Sequence, residues 1–174
     1  MKRTERDDVV FCHNDALLAN VVIQEENVIN FIDLEYGAPN FAAFDIANHF
    51  VEFVGCDGVL DYEKWLPAKS WRLDWVREYL TERTRKASDA GCGNVVEEEK
   101  IESLQARVEL FMLPAHLLWA VWAVIQVSCC IQIGEQRCLQ AENSTIDFDF
   151  ADYALQRLAE FRRWKSLLEK ESKL

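Results

Sequence analysis

The sequence predicts an α+β domain in which a small cluster of strands near the N-terminus precedes a mostly α-helical remainder. Three apolar runs of strand length occur early in the chain, at Val9–Cys12, Val21–Ile23 and Val28–Ile32. The last two flank a polar turn, Gln24–Asn27, as the strands of a β-hairpin do. From Phe41 onward, apolar residues recur mainly at helical intervals.

Size and charge limit the classes of partner. The chain has 174 residues, half of them hydrophobic, and a formal net charge of −11. This predicts a single domain over residues 1–174 with one buried core, and it argues against nucleic acid or an anionic membrane as the main partner. Residues 1–8 form a charged stub without the apolar stretch of a secretory signal, so we expect a cytoplasmic protein.

The later part of the chain alternates predicted helices with breaks. The first break is a Gly/Pro/Asn turn, and further helices follow until a closing helix, after which residues 165–174 are expected to fray. The predicted order is a turn at Tyr36–Asn40, a helix over Phe41–Val54, a loop over Cys56–Lys69, a helix over Ser70–Ala90, and another beginning at Val95–Arg107.

One apolar segment has two interpretations. Leu110–Ile133 contains no charged residue and is long enough to span a bilayer. Pro114, His116 and three further polar residues interrupt it, and no basic cluster flanks it. We therefore predict a buried helix and no membrane span. Pro114 should kink this helix or mark a true start at His116.

Polar residues after the first apolar run have the spacing of a catalytic loop. His13, Asp15 and Asn20 follow the pattern H-x-D-x-x-x-x-N, and Asp33 follows the second hairpin strand. In phosphoryl transfer such a pattern supplies one carboxylate that accepts the proton of the acceptor hydroxyl, and oxygen ligands for Mg²⁺. The alternative interpretation is an ordinary turn, which Asn and Asp also favour.

Two acids lie on the predicted helix after this loop. Asp45 lies between Phe44 and Ile46, and Glu52 follows it by two helical turns on the same side. Since a buried acid must be paired or hydrogen-bonded, we expect Asp45 to hold the catalytic loop in place. Without other information Glu52 would be interpreted as a solvated surface acid.

Four segments, in this order, resemble the choline/ethanolamine kinases, and the ethanolamine kinase branch most closely. They are FCHNDALLANVVI, FIDLEYGAPNFAAFDIANHFVEFVG, HLLWAVWAVIQ and STIDFDFADYALQRLAEF. The resemblance covers about Val9 to Trp164. It implies the C-terminal lobe of a protein-kinase-like fold, with a small β-hairpin region carrying the catalytic loop, and ATP-dependent phosphorylation of ethanolamine.

The resemblance also implies roles for individual residues. Asp15, with His13, would be catalytic, and Asn20 and Asp33 would bind Mg²⁺. Asp45 would support the site, and Val22 and Ile32 would contact the adenine of ATP. The residues implied to bind the amine are Glu52, Trp119, Trp122, Tyr153, Phe148, Glu35 and Tyr36.

Some features leave alternatives open. By pattern alone Trp119 and Trp122, three residues apart on one helix face, suit a core as well as a cation–π wall. Ala47 replaces a glycine that the family has, and Ser128–Asn143 resembles an insertion. The nucleotide-binding lobe that such kinases place before the catalytic loop is not found before His13. The alternatives are therefore a choline kinase, or a truncated non-catalytic module that partners a full-length kinase subunit.

Overall fold

The computed structural model describes residues 9–25, 28–55, 59–87, 95–133 and 148–171. The chain divides into two compact units. The first comprises Met1–Val54 and Asp61–Phe111, and the second Gly55–Leu60 and Met112–Leu174. The prediction of one lobe over residues 1–174 is not tested by this division.

The first unit contains two antiparallel strand pairs. Strand β1 (Val9–Cys12) pairs with β4 (Ala38–Phe41), and β2 (Val21–Ile23) pairs with β3 (Ile29–Phe31). Val21 lies opposite Phe31, and the hairpin closes with a hydrogen bond from the Gln24 amide to the Val28 carbonyl. The predicted hairpin is therefore confirmed.

The predicted turn at Tyr36–Asn40 is wrong for most of its length. A 3₁₀ turn occupies Leu34–Tyr36, and the following residues form β4. Pro39 lies opposite Phe11 in the β1–β4 ladder. A proline is compatible with an edge strand, since such a strand does not need every N–H for pairing, and β4 has β1 as its neighbour within the described sheet.

Helix α1 (Ala42–Val51) continues directly from β4 and ends in a 3₁₀ turn at Glu52–Val54. The predicted helix over Phe41–Val54 is thus confirmed in its main part. Ala47 is fully buried within the uninterrupted helix. A methyl group at this position is therefore accommodated within the helix.

The remaining elements of the first unit are helical. The predicted loop over Cys56–Lys69 contains a short helix, α2 (Tyr62–Trp65), whose start is capped by the Asp61 side chain accepting from the Lys64 amide. Helix α3 (Lys69–Ala87) confirms the predicted helix over Ser70–Ala90 as far as the described residues extend.

Helix α4 (Glu98–Ile133) is continuous and contains Pro114 in its interior. The predicted start at His116 is therefore wrong. A proline removes one hydrogen bond of the helix ladder, but Met112 and Ala115 on either side are fully buried, and this packing stabilises the helix through the proline.

The apolar part of α4 satisfies the criteria of length and composition for a membrane span. Glu98–Ser128 contains a window with a mean hydropathy of 1.8, of which 44% is buried within the protein. Core helices of folded domains can have the same length and composition. The absence of a span thus stays a prediction.

Helix α5 (Phe150–Glu171) closes the second unit. The carboxylate of Asp149 accepts from the Asp152 amide at 2.9 Å and caps its start. The prediction of a frayed tail is wrong for residues 165–171, which are helical; residues 172–174 lie outside the described part. Ion pairs one turn apart, such as Lys165 with Glu169, support this end of the helix.

A buried ion pair in the first unit gives a stability prediction. The Arg72 guanidinium and the Glu109 carboxylate are both buried, with Nη2 and Oε1 3.4 Å apart, and burial lowers the pKa of Arg72 while Glu109 opposes this. Glu109→Gln should lower the free energy of unfolding by about 3 kcal/mol, because it leaves the arginine charge without its carboxylate. Urea unfolding measures this.

The matched control is Glu98→Gln, which alters the exposed pair of Glu98 with Arg77. Exposed pairs contribute about 0–1 kcal/mol, so this variant should unfold close to the wild-type midpoint. Equal losses in Glu109→Gln and Glu98→Gln would contradict the assignment of Glu109 as a core-stabilising group.

Candidate active site

The loop after β1 brings Asp15 and Asn20 together. The Leu17 amide donates to the Asp15 carbonyl at 2.8 Å, and a 3₁₀ turn over Leu18–Asn20 follows. The Asn20 side-chain nitrogen donates to the Asp15 carbonyl at 2.9 Å and to its carboxylate Oδ2 at 3.2 Å. Both side chains are buried. Because both hydrogen bonds use the side-chain nitrogen of Asn20, its side-chain oxygen is the atom that can bind a ligand.

Asp45, in the first turn of α1, anchors the start of this loop. Its Oδ2 accepts from the His13 amide at 2.9 Å, and its Oδ1 accepts from the Asn14 amide at 2.7 Å. One carboxylate therefore satisfies two consecutive backbone donors just after β1. Hydrogen bonds to a charged acceptor are stronger than those between neutral groups, so α1 fixes the path of the loop after β1.

Asn14 is a residue whose importance the sequence analysis missed. Its backbone is left-handed, with φ 63°, a conformation that asparagine adopts more readily than most residues. Its side chain donates to the Tyr36 carbonyl and accepts from Asn40 Nδ2, both at 2.8 Å. The side-chain Nδ2 of Asn48 donates to the Asn14 carbonyl at 3.1 Å. A signal was present in Asn48, a polar residue among the apolar positions of α1.

The end of β3 is connected to the same loop. The Ile32 amide donates to the Asn20 carbonyl at 3.0 Å, and the Ile32 carbonyl lies 2.8 Å from His13 Nε2. Since a carbonyl accepts only, Nε2 carries the hydrogen. These two bonds place Asp33 beside the loop. Asp33 has φ 59°, and its side chain is exposed to solvent.

Asp15 lies in an environment that disfavours its charge. The residue is 6% exposed, and its Oδ1 has no hydrogen-bond partner among the described residues. Burial, and next the negative charge of Glu52, raise the pKa of Asp15 from 3.8 to about 6, and Asp33 acts in the same direction. The charge of His13 and the hydrogen bond from Asn20 oppose the rise.

Glu52 is buried, at 6% exposure. It is therefore not the solvated surface acid that its sequence context alone suggested. It lies in the 3₁₀ turn that ends α1, whereas Asp45 lies in the first turn of the helix. Helix α1 thus carries the loop anchor at one end and, just beyond the other, a second buried acid that acts on Asp15.

Other residues proposed from the sequence lie at the periphery of this unit. Glu35 and Tyr36 are exposed in the 3₁₀ turn after Asp33. Val22 is half-buried in β2, opposite Asn30, and Ile32 is exposed just beyond β3. The hairpin face that carries Val22 and Ile32 therefore offers apolar surface next to the loop.

The second unit contains an aromatic cluster, defined here as Trp119, Trp122, Phe148, Phe150 and Tyr153. Successive ring centroids lie 5.6 Å apart for Trp119–Trp122, 5.6 Å for Trp122–Phe150, 4.8 Å for Phe148–Phe150 and 5.2 Å for Phe148–Tyr153. All of these side chains except Phe150 were expected at the amine from the sequence. These edge and tilted geometries are typical of stable aromatic packing.

Comparison with known proteins identifies the family. A family model described as choline/ethanolamine kinase matches residues 1–162. The chain belongs to the choline/ethanolamine kinase family. The recognition made from the four sequence segments is therefore confirmed.

Similar sequences carry the ethanolamine kinase name. An ethanolamine kinase of Drosophila melanogaster is 40% identical over 154 residues, which are 88% of this chain and 25% of that protein. Ethanolamine kinase 2 of Mus musculus is 37% identical over 158 residues, 90% of this chain and 35% of that protein. The chain thus spans about a quarter to a third of the length of these family members.

Solved structures of family members have the same fold. A choline kinase from Cryptosporidium parvum Iowa II superposes with a TM-score of 0.72 and 26% identity, covering 95% of this chain and 41% of that chain. An ethanolamine kinase of Plasmodium vivax gives 0.63 and 28%, covering 88% and 33%. The predicted fold class, a mostly helical lobe of the protein-kinase-like fold with small sheets, is confirmed.

The residues that the family resemblance assigns to Mg²⁺ have suitable chemistry. Asn20 offers an amide oxygen, and Asp33 offers an exposed carboxylate next to the residue that pairs with Asn20; hard oxygen ligands of this kind suit Mg²⁺. The orphaned Oδ1 of buried Asp15 adds a further acceptor nearby. Within the described ranges, no three His, Cys, Asp or Glu side chains form a metal-binding group by themselves.

The raised pKa of Asp15 predicts how stability depends on pH. Because the folded-state pKa of about 6 exceeds the ordinary 3.8, protonated Asp15 favours the folded state; this stabilisation is complete below about pH 4 and is lost as the pH rises through 6. Between pH 5 and 8 the wild type should lose about 1.4 kcal/mol more than Asp15→Asn does. Thermal unfolding at several pH values measures the difference.

Glu63→Gln, which removes an exposed carboxylate on α2, is the control and should keep the wild-type pH dependence. Parallel curves for the wild type and Asp15→Asn would show that Asp15 has an ordinary pKa.

Proposed function

We propose that this chain carries the catalytic loop and the amine-binding residues of an ethanolamine kinase, which transfers the γ-phosphoryl group of ATP to the hydroxyl of ethanolamine. The observation that carries this proposal is the buried acid pair, Asp15 and Glu52, with the pKa of Asp15 raised. Two buried acids that repel each other favour the entry of a cation. Ethanolammonium provides that cation on the same small molecule as the acceptor hydroxyl.

Asp15 is the base in this proposal. A pKa of about 6 keeps most of the carboxyl ionised at neutral pH while leaving it basic enough to accept the hydroxyl proton as the oxygen attacks phosphorus. Asp45 and Asn14 hold the loop that positions it, and His13 connects the loop to the strand before Asp33. Asn20 and Asp33 would hold Mg²⁺, which neutralises charge on the phosphates of ATP when bound.

The amine specificity follows from hydrogen-bonding capacity. Ethanolammonium has three N–H donors, and carboxylates such as Glu52 accept them. Choline has no N–H donor and depends on ring surfaces, so an acid-lined site favours the primary amine. The family resemblance also assigns amine contacts to Glu35 and Tyr36 and to Trp119, Trp122, Phe148 and Tyr153 of the aromatic cluster, and it assigns adenine contacts to Val22 and Ile32.

The test of this function is product formation. The purified chain, with ATP and Mg²⁺, should convert ethanolamine to phosphoethanolamine, detected by ³¹P NMR, and should use choline less well. A second arm places this chain in a chimera that replaces the 154 matched residues of the Drosophila enzyme. Absence of phosphoethanolamine from the folded chain and from the folded chimera would overturn the proposal.

Trp122 gives a more local prediction. In the structure its ring contacts Trp119 and Phe150. Trp122→Ala should raise the KM for ethanolamine about tenfold, which is about 1.4 kcal/mol and lies within the range of cation–π contacts, while leaving the KM for ATP unchanged. Steady-state kinetics of the active form measure both constants.

Trp65→Ala is the matched control, since Trp65 is an exposed tryptophan at the end of α2; it should leave both constants unchanged. An unchanged KM for ethanolamine in Trp122→Ala would exclude this ring from the amine site.

A further inference from the structure

Arg157 is a buried charged residue outside the proposed catalytic scheme. It lies on α5 at 0% exposure. Its Nε and Nη2 donate to the phenol oxygen of Tyr153 at 2.9 and 2.7 Å, and its guanidinium carbon lies 5.0 Å from the centroid of the Tyr153 ring. Arg157 thus holds one member of the aromatic cluster with two donors of a rigid fork.

The same guanidinium also reaches helix α4. Nη1 of Arg157 lies 3.4 Å from Nδ1 of His116, which is itself buried. Burial, and next the charges of Arg157 and Arg163, hold the pKa of His116 well below its usual range, so the imidazole is neutral. Because a guanidinium donates only, His116 Nδ1 is the acceptor. His116 lies one helical turn before Trp119, so Arg157 links the helix that carries the tryptophans to the ring of Tyr153.

The two hydrogen bonds decide what the phenol can offer to a ligand. A hydroxyl oxygen has two lone pairs, and Arg157 occupies both with its two donors. The Tyr153 oxygen therefore has no acceptor left for an N–H of an ammonium ion. What remains for an ammonium is the ring, whose orientation Arg157 fixes.

We propose that Arg157 is a positioning residue of the amine site, which locks the Tyr153 ring against Phe148 and withdraws the Tyr153 hydroxyl from contact with the amine. This inference rests on the proposed function, since it assumes that the aromatic cluster receives ethanolammonium. It gives the aromatic cluster the role of shape and cation–π attraction alone.

The experiment measures ethanolammonium affinity by isothermal titration calorimetry with the purified chain, in the absence of ATP. Arg157→Lys retains the charge but not the fork, and Tyr153→Phe retains the ring but not its anchor. Each should weaken binding about tenfold, and the double variant should be no weaker than either single variant, because both remove the same tether. Arg163→Lys on the same helix, where Arg163 pairs with Glu160, should bind like the wild type.

The outcomes separate this inference from the proposed function. A folded wild-type chain that binds no ethanolammonium overturns the proposed function. Wild-type binding with unchanged affinity in Arg157→Lys, or additive losses in the double variant, overturns the role of Arg157 alone. If Arg157→Lys does not fold, the Nε–H signal of Arg157 in an ¹⁵N spectrum tests the tether instead. This hydrogen should be protected from exchange with solvent in the wild type, with and without saturating ethanolamine, and should exchange rapidly in Tyr153→Phe. Rapid exchange in the wild type would contradict the tether.

Discussion

Asp15→Asn is expected to lower kcat for ethanolamine phosphorylation by about 10³–10⁴-fold, the upper range for the loss of a general base. The asparagine amide retains the shape of the side chain but cannot accept the hydroxyl proton. Because the substitution removes one of two buried acids that repel each other, the variant should remain folded. The measurement is initial-rate formation of phosphoethanolamine, with a thermal unfolding curve on the same preparation.

A pH profile distinguishes loss of the base from other defects. In the wild type, kcat/KM should rise with pH through about 6, the pKa of Asp15 in the free protein. Glu63→Gln should show the same profile. Retention of more than about a tenth of the wild-type kcat in Asp15→Asn would exclude proton acceptance by Asp15, since a general base contributes at least 10²-fold.

Asp45→Ala should combine a large loss of stability with loss of turnover. The substitution leaves the amides of His13 and Asn14 without their acceptor. Hydrogen bonds to a charged group contribute about 1.5–3 kcal/mol each, so the loss of two should lower the free energy of unfolding by about 3–6 kcal/mol. The catalytic loop would lose its fixed path, and kcat should fall even where the chain is still folded. Urea unfolding and initial rates measure the two effects.

Two variants make this test specific. Asp45→Asn retains one acceptor oxygen and should recover part of the stability. Asp74→Ala removes an exposed acid that pairs with Arg77 on α3 and should cost less than about 1 kcal/mol. A loss in Asp45→Ala no greater than in Asp74→Ala would show that the carboxylate does not anchor the loop.

The parts of the fold that could be predicted are those fixed by local pattern. The β2–β3 hairpin and helices α1 and α3 follow from short-range alternation or helical periodicity, and the structure confirms them. Strand β4 could not be predicted in the same way, because Pro39 and Asn40 favour a turn locally. Its partner β1 is distant in sequence, and this pairing overrides the local preference.

Local rules also failed where tertiary packing supports the chain. Pro114 is a helix breaker by its chemistry, yet buried neighbours keep α4 continuous. The charged residues after Trp164 were interpreted as a frayed end, whereas ion pairs along α5 extend the helix to Glu171. In both cases the helix is stabilised by side-chain contacts whose partners cannot be identified from the order of residues in the sequence.

The candidate site divides in the same way. The motif gave Asp15, Asn20 and Asp33, because their spacing along the chain carries the chemistry. The network around Asn14 and the tether from Arg157 to Tyr153 depend on hydrogen bonds between elements or across a helical turn. Such contacts become visible only when the backbone brings the residues together, so Asn14 and Arg157 were missed, although Asp45 was expected to hold the loop from its place on α1.

Calorimetric titration of the purified chain with ethanolamine, with choline in parallel, tests the central claim most directly. The claim is that this chain carries the amine-binding residues of an ethanolamine kinase, with the buried acids Asp15 and Glu52 among them. The account predicts one ethanolammonium bound per chain, weaker binding of choline, and loss of ethanolammonium affinity in Glu52→Gln. A folded chain that binds neither amine, or that binds choline more tightly and is indifferent to Glu52→Gln, would contradict it.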